Sequence, residues 1–110
     1  MTGNEWYPFQ SGATLGQKGS EAGIILRDEE HPLGSRITLG RGGRTPFAVT
    51  CGIYGWMVHT RFFVLENEAM SEYASMQRDL AKLLERSNET ADGGHEVLMN
   101  GAIEFVGTYP

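Results

Sequence analysis

The feature that most restricts this chain lies in its second half. Between Asn67 and Ser87 the apolar residues Ala69, Tyr73, Met76, Leu80 and Leu83 recur at alternating steps of four and three. That is the period of one face of an α-helix. Asn67 is placed to cap this helix and Glu68 to sit in its first turn, while Lys82 and Arg86 stand near its end, where positive charge complements the helix dipole. The stripe is too short to argue a long coiled coil by itself. It needs a second apolar layer to cover it.

That layer is written upstream. Residues 23–29 (GIILRDE), 36–40 (RITLG), 46–51 (PFAVTC) and 55–65 (GWMVHTRFFVL) are rich in β-branched and aromatic residues and are bounded by Gly and Pro. The links between them are short: EHPLGS, Arg41-Gly42-Gly43-Arg44 and Gly52-Ile53-Tyr54-Gly55. Short links between successive strands favour antiparallel pairing. The expected fold is therefore α+β: a four-stranded antiparallel β-meander with one amphipathic helix packed on one face. After the polar stretch SNETADGGH, the tail EVLMNGAIEFV carries Asn100-Gly101 between apolar runs, which reads as a type I′ hairpin. A short C-terminal hairpin or strand is expected there, with a short helix plus one strand as the alternative.

Residues 1–22 keep no period. They are rich in Gly and Ser around the aromatic cluster Trp6-Tyr7-Pro8-Phe9 and read as an irregular N-terminal arm pinned by its aromatics. Residues 23–110 are then one α+β domain, as expected for a chain of 110 residues. The single cysteine, Cys51, allows no internal disulfide. The first ten residues have neither the basic nor the apolar region of a secretory signal, and no apolar run is long enough to span a membrane. A cytoplasmic protein is the expectation.

The net charge of −5 is unevenly distributed. Residues 1–65 carry six basic and five acidic side chains, whereas residues 66–110 carry three basic and nine acidic ones. An acidic second half speaks against broad contact with nucleic acid or a membrane surface, both of which require a basic footprint.

Three motifs invite chemistry and none completes it. Ser11 to Ser20 (SGATLGQKGS) resembles a phosphate-cradling loop, yet counting from Gly12 the position that needs Gly is Gln17, and Lys18 is followed by Gly19 rather than Ser or Thr. The run Asp28-Glu29-Glu30-His31 offers metal-ligand types, but on a strand only Asp28 with Glu30, or Glu29 with His31, can share a side. Cys51 on a strand reads as a small buried hydrophobe rather than a nucleophile. No metal or other cofactor is implied.

The sheet says more. With Gly52–Gly55 as a four-residue loop, Cys51 falls opposite Trp56, Val49 opposite Val58 and Phe47 opposite Thr60, an apolar face suited to the helix. Ile24, Leu26, Ile37 and Leu39 join that face from the first hairpin. The other face then gathers Arg27, Glu29, Arg36, Thr38, His59 and Arg61, with Thr50, Met57 and Phe63 beside them. Such a face is either an ordinary wet surface with cross-strand ion pairs of roughly 0.2–1 kcal/mol each, or a recognition surface in which arginines present paired donors to an anionic group. Without a coherent catalytic set, the chain reads as a small non-catalytic binding module acting through a protein partner or as a homodimer. A regulatory or toxin-neutralising protein of bacterial type fits by analogy of size and charge. The alternative is a small enzyme or ligand-binding domain with its anion site on the polar sheet face, His59 serving as acid–base.

Overall fold

The computed structural model describes residues 5–20, 23–90 and 94–110. The two ends of the expected arm, 1–4 and 21–22, and the middle of the polar stretch, 91–93, lie outside them. The class is α+β, and the sheet is an antiparallel meander in the order β1 (Tyr7–Pro8), β2 (Ile24–His31), β3 (Ser35–Arg41), β4 (Phe47–Ile53) and β5 (Met57–Phe63). It has five strands where four were expected, because Tyr7 and Pro8 pair with Glu30 and Glu29 along the outer edge of β2.

Helix α1 (Glu66–Asn88) buries Ala69, Tyr73, Met76, Leu80 and Leu83, the residues of the periodic stripe, together with Leu84. They pack on Ile37 and Leu39 of β3, on Val49, Cys51 and Ile53 of β4 and on Phe63 of β5. Asn67 does not cap the helix. Leu65 holds the cap position in extended conformation, and its carbonyl accepts the Ala69 amide. Asn67 is therefore already inside the first turn.

The C-terminal segment corrects the expectation. Residues 95–108 form a second helix, α2 (His95–Thr108), and no hairpin. Leu98, Gly101, Ala102, Phe105 and Tyr109 fall on one helical face, and Gly101, Ala102, Phe105 and Tyr109 are buried. Gly101 serves close approach rather than a turn. A Cβ there would lie 2.1 Å from Leu83 Cδ1 of α1.

Two local devices fix which side chains face the helices. The first is a bulge at Leu26. Ile25 pairs with Gly40 but Arg27 with Leu39, so Leu26 is the extra residue, and the remainder of β2 is turned over relative to an unbroken strand. The second is the β4–β5 turn. Its bond runs from the Trp56 amide to the Ile53 carbonyl, and Gly55 takes φ 83°, the left-handed conformation that glycine adopts without strain. Ile53 therefore pairs with Met57, and Cys51 with His59 rather than Trp56. The register differs from the expected one by three residues, an odd number, and every side chain of β5 changes face.

Leu80 is fully buried in the core formed by the sheet and both helices. Leu80→Ala is expected to cost about 2–5 kcal/mol, measured by chemical unfolding. A loss under about 0.5 kcal/mol, the range of surface substitutions, contradicts the packing. Gly101→Ala is expected to destabilise as well, because the added methyl collides with Leu83.

Candidate functional site

The six residues expected on one polar face are divided between two. Arg36 and Thr38 lie on the outer face of the sheet, away from the helices. The bulge and the turn place Arg27, Glu29, His59 and Arg61 on the helix side. Met57 and Phe63 move with them, and Phe63 is buried in the core.

The helix-side four are committed to holding the layers together. Glu29 accepts hydrogen bonds from the Tyr73 hydroxyl at 2.7 Å and from the Gln77 amide at 2.9 Å, and pairs with Arg27 at 2.9 Å. Burial, with the adjoining Glu29 carboxylate, raises the Tyr73 hydroxyl well above its ordinary value. Arg61 donates to Glu72 of α1 at 2.6 Å and to the Pro110 carbonyl at 3.2 Å. The His59 ring donates through Nε2 to the Tyr109 carbonyl. With Arg36 bound to Asp28, each of the three arginines already meets a carboxylate. The guanidinium donors that an anion site would use are thus already turned to carboxylates of the chain itself.

The outer face is organised around Asp28, which the sequence reading weighed only as one of a run of possible metal ligands. Asp28 is only 2% exposed. Its carboxylate accepts Arg36 Nε at 2.9 Å and Nη2 at 2.6 Å, Thr14 Oγ1 at 2.8 Å and Thr38 Oγ1 at 3.2 Å. Burial works to raise the Asp28 carboxyl, but the bonds from Arg36, Thr14 and Thr38, with the charge of Arg36, outweigh it and hold the group below the ordinary Asp value. The Arg36 guanidinium in turn lies 3.7 Å from the Phe9 ring centroid. Glu30, on the same face, accepts the Tyr7 hydroxyl at 3.0 Å and the Tyr54 hydroxyl at 2.7 Å.

Because Thr14 is drawn onto Asp28, the Gly-rich stretch lies along the start of β2. The Gly16 amide donates to Ile25, the Ile25 amide donates to Gln17, and the Gly19 amide donates to Gly23. The Leu15 and Gln17 amides are used inside the loop. The Gly16, Gln17 and Gly19 amides, which a phosphate cradle would need, are thus already engaged.

This loop forms one wall of an open groove of about 680 Å³ across the outer face. Arg36, Thr38 and Thr50 lie on its floor, Ile25, Tyr54, Trp56 and Val58 give it apolar sides, and Gln17 and Lys18 stand at its rim. Thr50 and Thr60 share a hydrogen bond of 3.1 Å. Lys18 has no carboxylate partner among the described residues. The sequence reading pins the arm by its aromatics and takes Gly52–Gly55 as a connection, and in neither does it see a wall of a groove. A pairing of Asp28 with Arg36 was closed to it, because without the bulge at Leu26 the two side chains fall on opposite faces of the sheet.

Cys51 is buried on the helix side, and desolvation pushes its thiol up to about 12. His31 is buried edge-on against Trp6, its Nδ1 accepting the Leu33 amide at 3.1 Å. In the Asp28–His31 run the two sides separate as the strand geometry requires, and no group of three potential metal ligands exists among the described residues. No helix among them is long and apolar enough to cross a membrane. Comparison with protein-family models, curated proteins and solved structures finds no match for this chain.

Removing the buried charge tests the cluster. Asp28→Asn is expected to cost about 3 kcal/mol, the low end for a broken buried ion pair, because the Arg36 side chain stays 36% exposed. Since the folded-state Asp28 value is lowered, its stabilisation is complete above the unfolded value of about 3.9 and is lost as pH falls through the lowered one. The gap between wild type and Asp28→Asn should therefore be constant near neutrality and close in acid. A gap that persists unchanged to low pH contradicts this assignment.

Proposed function

We propose that this chain is a small non-catalytic binding module, and that the groove on its outer sheet face receives a segment of a protein partner. The supporting observation is the groove itself. It combines apolar walls from Ile25, Tyr54, Trp56 and Val58 with a hydroxyl floor from Thr38 and Thr50 and a lysine at the rim. Exposed aromatic residues beside hydrogen-bonding groups are the chemistry of protein contact sites. Lys18 suits a partner segment that carries a carboxylate next to an apolar side chain.

The non-catalytic reading is supported by where the reactive groups lie. Cys51 and His31 are buried on the other side of the sheet, and the His59 ring is engaged with the Tyr109 carbonyl. The anion-site alternative loses its main support, because Arg27, Arg36 and Arg61 are neutralised by Glu29, Asp28 and Glu72.

The test is selection of peptides from a random library on the immobilised protein, followed by affinity measurement with variants. Tyr54→Ala and Lys18→Glu change exposed side chains. Each is expected to weaken the selected peptides tenfold or more, on the order of 1.4 kcal/mol, with the melting transition intact. Peptides that bind both variants as tightly as wild type contradict the proposal.

A further inference from the structure

The two edges of the sheet are treated differently. The β2 edge is covered at both ends. Tyr7 and Pro8 pair with Glu30 and Glu29, and the Gly16–Lys18 loop bonds to the backbone of Ile24 and Ile25. The covering strand has two residues, one of them proline, which closes the edge to further pairing. At the other end, β5 presents seven residues, Met57–Phe63, with no proline, no lysine and no irregularity in its pairing to β4. Among the described residues no backbone bond from outside the sheet reaches it.

Below this open edge, on the outer face, Val58 is 82% exposed and Phe62 is also exposed, with Val64 at 72% just beyond the strand. Above it runs α2. Its start is tied to the start of β5 by an edge-on contact of His95 with Trp56, and its end by the bond between His59 and the Tyr109 carbonyl. Gly101, Glu104 and Thr108 line the groove between α2 and α1. At 3.6 residues per turn, Met99, Ile103 and Val106 fall on the opposite flank, away from α1. All three are exposed, Ile103 at 71%. One side of the molecule therefore carries a bare strand edge with apolar residues in both layers.

We infer that this side is a docking surface for a second copy of the chain, joined antiparallel through β5 to β5 with α2 against α2. A two-fold axis through Thr60 pairs all seven residues of β5 with those of its copy and sets Val58 of each opposite Phe62 of the other. Arg61 is held by its own Glu72 and brings no uncompensated charge to the seam. The two-layered character selects this occupant. A strand edge about 20 Å long and about 10 Å through offers only a few hundred Å², and a specific interface needs on the order of 1,000 Å². A lone extended peptide would satisfy the edge and leave Met99, Ile103 and Val106 in water. A second copy supplies a strand and a helix at the matching separation.

This surface shares Val58 with the outer-face groove, but rests on different observations, and the experiment keeps the two apart. Sedimentation of the whole chain is expected to give twice the chain mass. Ile103→Glu, and separately Val64→Lys, should return it to one chain mass with helical content and melting cooperativity retained. Both positions are exposed, and each repeats the test if the other fails to fold. Peptides bound in the groove should be unaffected by either variant. In Thr60→Cys the new thiols meet on the two-fold axis, whereas Cys51 is buried, so mild oxidation should yield a covalent dimer that wild type does not form. A single-chain mass for wild type at high concentration, a dimer indifferent to Ile103→Glu and Val64→Lys, or no cross-link from Thr60→Cys overturns the inference.

Discussion

Asp28 sits at the centre of the first hairpin with its carboxylate out of water, and such a group is tolerated only while its lone pairs are filled. Four donor atoms fill them, two from Arg36 of β3, one from Thr38 of β3 and one from Thr14 of the arm. Much of the outer face follows from that requirement. Thr14 draws the Gly-rich stretch against β2, which covers that edge and raises a wall of the groove. Arg36, fixed in place, provides the surface on which the Phe9 ring rests. Trp6, three residues earlier, packs toward the helix-side core beside His31. The arm thus grips the sheet from both faces, with Tyr7 and Pro8 paired at the edge between them.

The helix side obeys a different logic. Its centre is apolar, and its margins are closed by polar contacts between layers: Glu29 with Tyr73 and Gln77, and Arg61 with Glu72. These bonds span elements far apart in sequence and position α1 on the sheet beyond what nonspecific burial provides. Charges that looked like a recognition surface are spent on the architecture. The outer face around the groove is left more neutral, with aromatic side chains at Tyr54 and Trp56.

How far the sequence could be read follows from the range of each signal. The α1 stripe is local and regular, and its residues are the ones buried. The four longer strands were legible from composition, as were the core positions Ile37, Leu39, Val49 and Cys51. The faces of Arg27, Glu29, His59 and Arg61 were not. They hinge on one bulge at Leu26 and on where Gly55 falls in its turn, and each device moves a register without altering the apolar pattern. The Asn100-Gly101 pair misled for a related reason. The same dipeptide suits a tight turn or the close approach of two helices, and the choice is made by Leu83, distant in sequence. The role of Asp28 stayed hidden because the same bulge turns it to the face of Arg36 and Thr38, and an acidic residue on a strand looks solvated until such partners are assembled in space.

The central claim, that the filled Asp28 carboxylate holds the arm against β2, is tested most directly by amide hydrogen exchange of wild type and Asp28→Asn under native conditions. The Gly16 and Ile25 amides tie the arm to β2 and should lose protection in the variant, while the core amides of α1 keep theirs. Unchanged protection at Gly16 and Ile25 would contradict the account. So would a loss spread evenly over the sheet and α1.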